Sequence, residues 1–281
     1  MESKGQPAFG SGRFGRRPAA RPIPRPALLA RLAAAPGMVV LVAAPGAGKS
    51  TLLDAWSASH SATMIDAPSG WPPPPGPLAI DGATPRDLPL LARLAGRAGV
   101  VVAATEDLQV PGATVLTPRE LAFAEDETYQ VLAGALADAE AADALAPDLH
   151  LLTHGWPALV ALAGAWLAQH PAPERRERLR ALARVEGDLT AHLVPAVVAA
   201  LPPADRDLLC RLARLPAVDA RLADHLDITE DLGPVPPFLQ PLARHPGWYA
   251  VPDPWRDALA RELPLPDDEL AALQSAYRAA T

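Results

Sequence analysis

The sequence predicts an α/β domain built on a parallel sheet, then a helical domain, then a small domain with a winged-helix outline. Three observations carry this prediction. Apolar, β-branched runs such as Met38–Ala43 and Gly99–Ala104 read as strands buried on both faces. Between these runs the pattern turns helical, up to about residue 124. From Glu125 the strand signals stop and helical periodicity continues to about residue 200.

The elements follow in order. Arg25–Ala34 is a short amphipathic helix, and Met38–Ala43 is the first strand. A helix then presents Leu52, Leu53 and Trp56 on one face. Ala62–Ile65 is a second strand. The cluster Pro72–Pro75 with Pro77 excludes helix. Leu78–Asp81 is the third strand and Arg86–Arg97 a helix that tolerates Pro89 in its first turn. Gly99–Ala104 and Ala113–Leu116 complete the sheet. Helices are expected at 125–145, 147–153, 157–169, 174–186 and 188–200. Between 203 and 255, three short helices and two short strands around Trp248 and Tyr249 give the winged-helix outline. The expected division is a disordered basic tail at 1–24, then domains at 25–122, 123–200 and 201–281.

Composition narrows the class. With 281 residues, 49% of them hydrophobic, the chain is long enough for a packed core. Proline is abundant, 34 residues, but Gly and Pro together stay below the share that marks a low-complexity chain. A single cysteine, Cys210, excludes an internal disulfide framework and a cysteine-based zinc site. No apolar run of 18 residues and no amino-terminal signal pattern occurs, so the expectation is a soluble, cytoplasmic protein with no membrane contact. Charge is unevenly placed. Residues 1–31 carry +6, and the remaining 250 residues carry −13 of a total of −7. That acidic body repels nucleic acid. The basic head, rich in Gly, Arg and Pro, reads as a solvated tail. The stretch expected as the third helix of the outline, residues 226–232, is itself acidic (Asp227, Glu230, Asp231), so direct DNA binding by this chain is not expected. Seven histidines are scattered; only His150 and His154 share a helical spacing, without a third ligand. The arginines of 175–184 are mixed with Glu174, Glu177 and Glu186 and read as a solvated face.

The chemistry concentrates at Ala43–Thr51. The phosphate-loop pattern G-x-x-x-x-G-K-[ST] sits between a strand and a helix, and Gly48-Lys49-Ser50 matches it with Ala43 in place of the first glycine. Gly46 and Gly48 let backbone N–H groups turn inward beside Pro45 and Ala47, and the helix start adds its positive end. Lys49 is expected to reach the β- and γ-phosphates, Ser50 to ligate Mg2+, and Thr51 to support it. Only two lysines exist in the chain, Lys4 and Lys49. The sheet is therefore expected to be that of a P-loop NTPase. A second acidic group should hold Mg2+ from the end of another buried strand. Asp81 stands there; Asp66 is the rival, and Asp81-Gly82 also reads as a plain turn.

Four stretches together resemble STAND-class signal-transduction ATPases, in particular the nucleotide-binding module of MalT-like, LuxR-family transcriptional regulators. They are Arg25-Pro26 with Leu28–Leu32, the loop Ala43–Thr51, Leu121-Ala122-Phe123 with Glu125-Asp126-Glu127, and Thr153-His154-Gly155-Trp156-Pro157-Ala158. The resemblance spans about residues 25–275 and implies an ATP- or ADP-binding switch. In it Pro157 packs on adenine, while the segment around Arg25 and Pro26 covers the base from the other side. By periodicity alone Trp156-Pro157 is a helix start with a buried tryptophan. The chain departs from the family at four points, the first being a short span from Lys49 to Asp81 whose proline cluster replaces a helix the family carries there. Gly82 follows Asp81 where a second acid is usual, Glu106 occupies the region of the arginine sensor, and Val251–Pro254 offers no histidine to the β-phosphate. These departures imply slow or absent hydrolysis. The chain ends after one helix, 267–280, that resembles the first of the family's repeats; this fits either a truncated chain or a short stand-alone relative. Two other readings stay open: a non-hydrolysing scaffold that binds a protein partner or itself, and an ordinary P-loop ATPase or kinase.

Overall fold

The computed structural model describes residues 22–66, 73–185, 187–228, 235, 237–242 and 245–281. The basic tail through Arg21, the start of the proline cluster at Pro72, Glu186 and residues 229–232 of the expected third helix lie outside the described residues. The chain divides into two compact units, Arg21–Ala200 and Leu201–Thr281.

The first unit begins with α1 (Pro26–Ala34) and β1 (Val39–Val42), then α2 (Lys49–His60), β2 (Thr63–Asp66), β3 (Leu78–Ala83), α3 (Leu88–Leu94), β4 (Val100–Ala104) and β5 (Thr114–Leu116). The five strands are parallel in the order β2-β3-β4-β1-β5. Alternation along each strand divides the core between two faces. Val39, Leu41, Val101 and Ala103 pack with Leu28 and Leu32 of α1 and Leu52, Leu53 and Trp56 of α2. Met38, Val40, Val100 and Val102 pack on the other face with Leu91 and Leu94 of α3. Both faces are covered, which explains why the strands lack polar alternation.

The strand order places the site. The connection after β1 runs toward β2, and the connection after β4 runs the opposite way, to β5. Connections diverging from neighbouring strands open a crevice at their C-terminal ends. Residues 44–48, which follow β1, lie at that crevice.

A short helix α4 (Pro118–Leu121) leads to α5 (Glu125–Leu136), α6 (Ala139–Thr153), α7 (Pro157–Ala168), α8 (Arg175–Leu182) and α9 (Leu189–Ala199). α5 packs on α6 and α7, and α7 packs on α9. Three expectations are corrected here. The break expected near Pro147 falls instead at Ala137, whose φ is 50°, and Asp138, whose carboxylate caps α6 by accepting from the N–H of Ala141 at 3.0 Å. Pro147 lies inside α6 on its exposed side, where water can satisfy the carbonyl it leaves without an N–H donor. The helix expected at 86–97 is a 3-10 turn, Pro85–Asp87, followed by the shorter α3. α4 was not expected at all, although Thr117 and Glu120 cap it reciprocally.

The second unit holds α10 (Pro203–Leu212), α11 (Ala220–His225), a two-stranded antiparallel pair β6 (Gln240–Pro241) and β7 (Tyr249–Ala250), α12 (Asp253–Glu262) and α13 (Asp267–Ala280). Trp255 and Phe238 meet edge to face in its core, with ring centroids 6.1 Å apart. Leu226 and Asp227, expected to open the third helix, form a turn, and α12 is an element the sequence reading lacked.

Candidate functional site: a glycine loop joined to a Gly-Trp-Pro segment

The loop after β1 has the backbone that its glycines allow. Gly46 has φ 88° and Gly48 has φ 78°, and Gly48 is the cap residue at the start of α2. At that start the N–H groups of Lys49, Ser50 and Thr51 have no acceptor within the helix, as at any helix N-terminus. They point outward at the positive end of the helix. Lys49 is only 9% exposed, and its Nζ donates to the carbonyls of Ala43 at 2.6 Å and Ala44 at 3.0 Å. The ammonium is thus held against the loop. Ser50 and Thr51 are exposed, Pro45 is exposed, and Ala47 is buried in the core below.

Asp81 lies at the C-terminal end of β3, in register with Asp66 of β2. One of its carboxylate oxygens accepts from the N–H of Gly82 at 3.0 Å, at an irregularity within β3 rather than in the plain turn that the sequence also allowed. β4 separates β3 from β1, so Asp81 stands about 10 Å from β1 at the usual strand spacing. Beyond β4, Glu106 is exposed, and Asp107 accepts from the N–H of Gln109 at 2.9 Å.

The structure brings two distant motifs together. The N–H of Ala158 donates to the carbonyl of Gly46 at 3.1 Å. A Cβ added to Gly48 would lie 3.9 Å from Cγ of Pro157, so the proline ring rests on the loop. Pro157 is buried and opens α7, whereas Trp156 is half-buried rather than fully buried. His154 and Gly155 both take left-handed backbone, with φ 49° and 67°. Gly155 is obligatory: a Cβ there would collide with the carbonyl of Phe123 and sit 3.1 Å from its N. This close approach lets the N–H of Phe123 donate to the carbonyl of Gly155 at 2.8 Å.

The Arg25 side chain is engaged by the segment 121–127. Its guanidinium donates to the carbonyls of Leu121 and Ala122, both at 2.7 Å. It also grips the Glu127 carboxylate in a fork at 2.9 and 3.0 Å. Its face lies 5.1 Å from the ring centroid of Phe123. Sequence reasoning missed this contact; the one signal was Glu127, an acid in the first turn of α5. A second tie from α1 joins Arg31 to Glu120 at 2.6 Å. The hydrogen bond from the Arg31 guanidinium, with the N–H of Thr117, holds the Glu120 carboxyl at a pKa of about 2, against an ordinary 4.5.

The chain shares its fold with a STAND protein. That protein is the signal transduction ATPase with numerous domains, bearing a tetratricopeptide-repeat sensor, from Pyrococcus horikoshii. The match has a TM-score of 0.63 at 14% sequence identity, and covers 94% of this chain and 45% of the other. The chain therefore spans under half the length of that STAND protein. No family model matches the sequence, and no curated protein does. Among the described residues, no helix is long and apolar enough to cross a membrane. No group of three or more His, Cys, Asp or Glu among them could hold a metal ion.

Proposed function

We propose that this chain is an ATP- or ADP-binding switch module, of the kind found in STAND-type, MalT-like (LuxR-family) transcriptional regulators, with weak or absent hydrolysis. The observation that carries the reading is the junction of Gly46 and Gly48 with Ala158 and Pro157. It gives a phosphate-binding turn and an apolar proline wall within one unit, as a nucleotide needs.

Each residue has a role in this reading. The N–H groups of residues 46–51 cradle the phosphates. Lys49 exchanges its carbonyl partners for phosphate oxygens. Pro45 and Ala47 shape the loop. The ring of Pro157 packs on adenine, and the Arg25–Pro26 turn covers the other side through its backbone and the proline ring. Ser50 and Asp81 supply hydroxyl and carboxylate oxygens on the C-terminal edge of the sheet, a donor set that suits Mg2+. Bound there, Mg2+ would neutralise charge on the phosphate oxygens. Glycine at 82 and Glu106 beyond β4 leave water activation and γ-phosphate sensing without their usual groups, so turnover is slow. The 201–281 unit acts as the winged-helix-like module, and the signal passes to a protein partner or a second copy rather than directly to DNA. We place the protein in the cytoplasm.

The test is a thermal-shift titration with ADP, ATP and GTP plus Mg2+. Saturating adenine nucleotide should raise stability by about 2.7 kcal/mol at a hundred times Kd. The shift should be adenine-selective and vanish in Lys49→Ala. A folded wild type with no shift for any nucleotide refutes the reading and leaves the scaffold.

A further inference from the structure

The placement of Arg25 goes beyond this reading while resting on it. Its side chain is 10% exposed and that of Glu127 is 14% exposed, so the pair is largely withdrawn from water. Four hydrogen bonds run from one guanidinium, two to carbonyls and two to a carboxylate. The carbonyls belong to the C-terminal end of α4, where a helix has acceptors without donors and a cation is favoured. Glu127 belongs to the first turn of α5 and also accepts from the N–H of Ala124 at 2.8 Å. One planar fork therefore locks the end of one helix to the start of the next. Lysine, a point charge with three donors and no plane, cannot reproduce that fork.

The lock continues toward the phosphate loop. Phe123 lies under the guanidinium, and its N–H holds Gly155. The N–H of Trp156 donates to the carbonyl of Thr153 at 3.0 Å, closing the turn before α7. The N–H of Ala158 then holds Gly46. Every link lies within Arg21–Ala200, and the first one joins residues 102 apart in sequence.

We propose that Arg25 is a positioning residue for the nucleotide site: through Glu127, Phe123 and Gly155 it fixes Pro157 and Ala158 against the phosphate loop, without its side chain touching the nucleotide. The clamp sets how tightly adenine is held, and releasing it uncouples the helices after α4 from the loop.

The test compares wild type, Glu127→Gln and Arg25→Lys by residue-resolved amide hydrogen exchange and by ADP–Mg2+ affinity. Glu127→Gln keeps the size of the side chain, and Arg25→Lys keeps its charge. The expected result is faster exchange at the Ala158 amide, by about tenfold, with the amides of Val40 and Val102 unchanged. ADP affinity should fall by about tenfold as well, the scale of one lost charge-assisted hydrogen bond. An unchanged Ala158 amide overturns the proposal, as does an unchanged ADP affinity. Acceleration of Val40 and Val102 together with Ala158 also overturns it, because it marks general destabilisation. Phe123→Leu, which keeps the backbone link but removes the ring under the guanidinium, should give a smaller change in the same direction; no change there overturns the part assigned to Phe123. Failure of wild type to bind ADP refutes the switch reading itself and removes the site to be positioned, whereas wild-type binding that survives both variants refutes only the clamp.

Discussion

The sheet and the junction at 121–127 and 153–158 lie in the same unit and are held by opposite means. The sheet is closed by apolar side chains alternating to two covered faces. The junction depends on a forked ion pair, a glycine with no room for a Cβ, and single backbone hydrogen bonds. Burial in the sheet is non-directional and tolerates small shifts. Polar links at the junction depend on distance and angle, so a small displacement breaks them. The difference teaches where the proposed nucleotide signal would act: on the junction, held by a few directional links, rather than on the sheet, which cannot open without unfolding.

Substitutions can sharpen or break this contrast. The largest effect is expected on the sheet side. Trp56→Ala removes a ring that is 1% exposed and should cost about 3–5 kcal/mol in denaturant unfolding. If it costs less than a junction substitution, the division of labour is wrong. Gly155→Ala should come next, at about 2–4 kcal/mol, since it combines a left-handed backbone with a collision against Phe123. Unlike Trp56→Ala, it should also weaken ADP binding under conditions where the protein is fully folded. Thr117→Ala removes one half of the α4 capping box and should cost about 1 kcal/mol.

The smallest effect concerns Glu120. Its folded pKa, about 2, is below its ordinary 4.5, so the pair with Arg31 stabilises the protein above pH 4.5. That contribution is lost as pH falls from 4.5 toward 2. Arg31 is 50% exposed, and solvent screening keeps the effect small. Glu120→Gln should flatten the pH dependence of stability in that window and leave ADP binding untouched. A large loss at neutral pH would show that α1 is held by its exposed tie rather than by Arg25.

Local patterns in the sequence announce much of this. Met38–Ala43 followed by Gly46, Gly48 and Lys49 is a strand, a phosphate loop and a helix start, because apolar runs and glycines act over a few residues. Asp81 at the end of a buried run is legible for the same reason. Pro157 is legible as a helix start. The order of the strands is not, since five short apolar runs carry no register of their own. Pro147 misled because a proline on the exposed side of a helix costs less than its reputation, while Asp138 gave the true boundary through its capping carboxylate. The partnership of Arg25 with Glu127 joins residues too far apart for any local pattern. Its only trace was an acid in the first turn of α5, which a helix start explains by itself.

The most direct test of one site built from the phosphate loop and the proline segment is a calorimetric titration of ADP with Mg2+ into wild type, Pro157→Ala and Lys49→Ala. Wild type should bind. Pro157→Ala should bind about tenfold more weakly through lost apolar contact. Lys49→Ala should lose at least as much, the scale of one hydrogen bond to a charged group. Binding to wild type that neither substitution weakens would contradict the account.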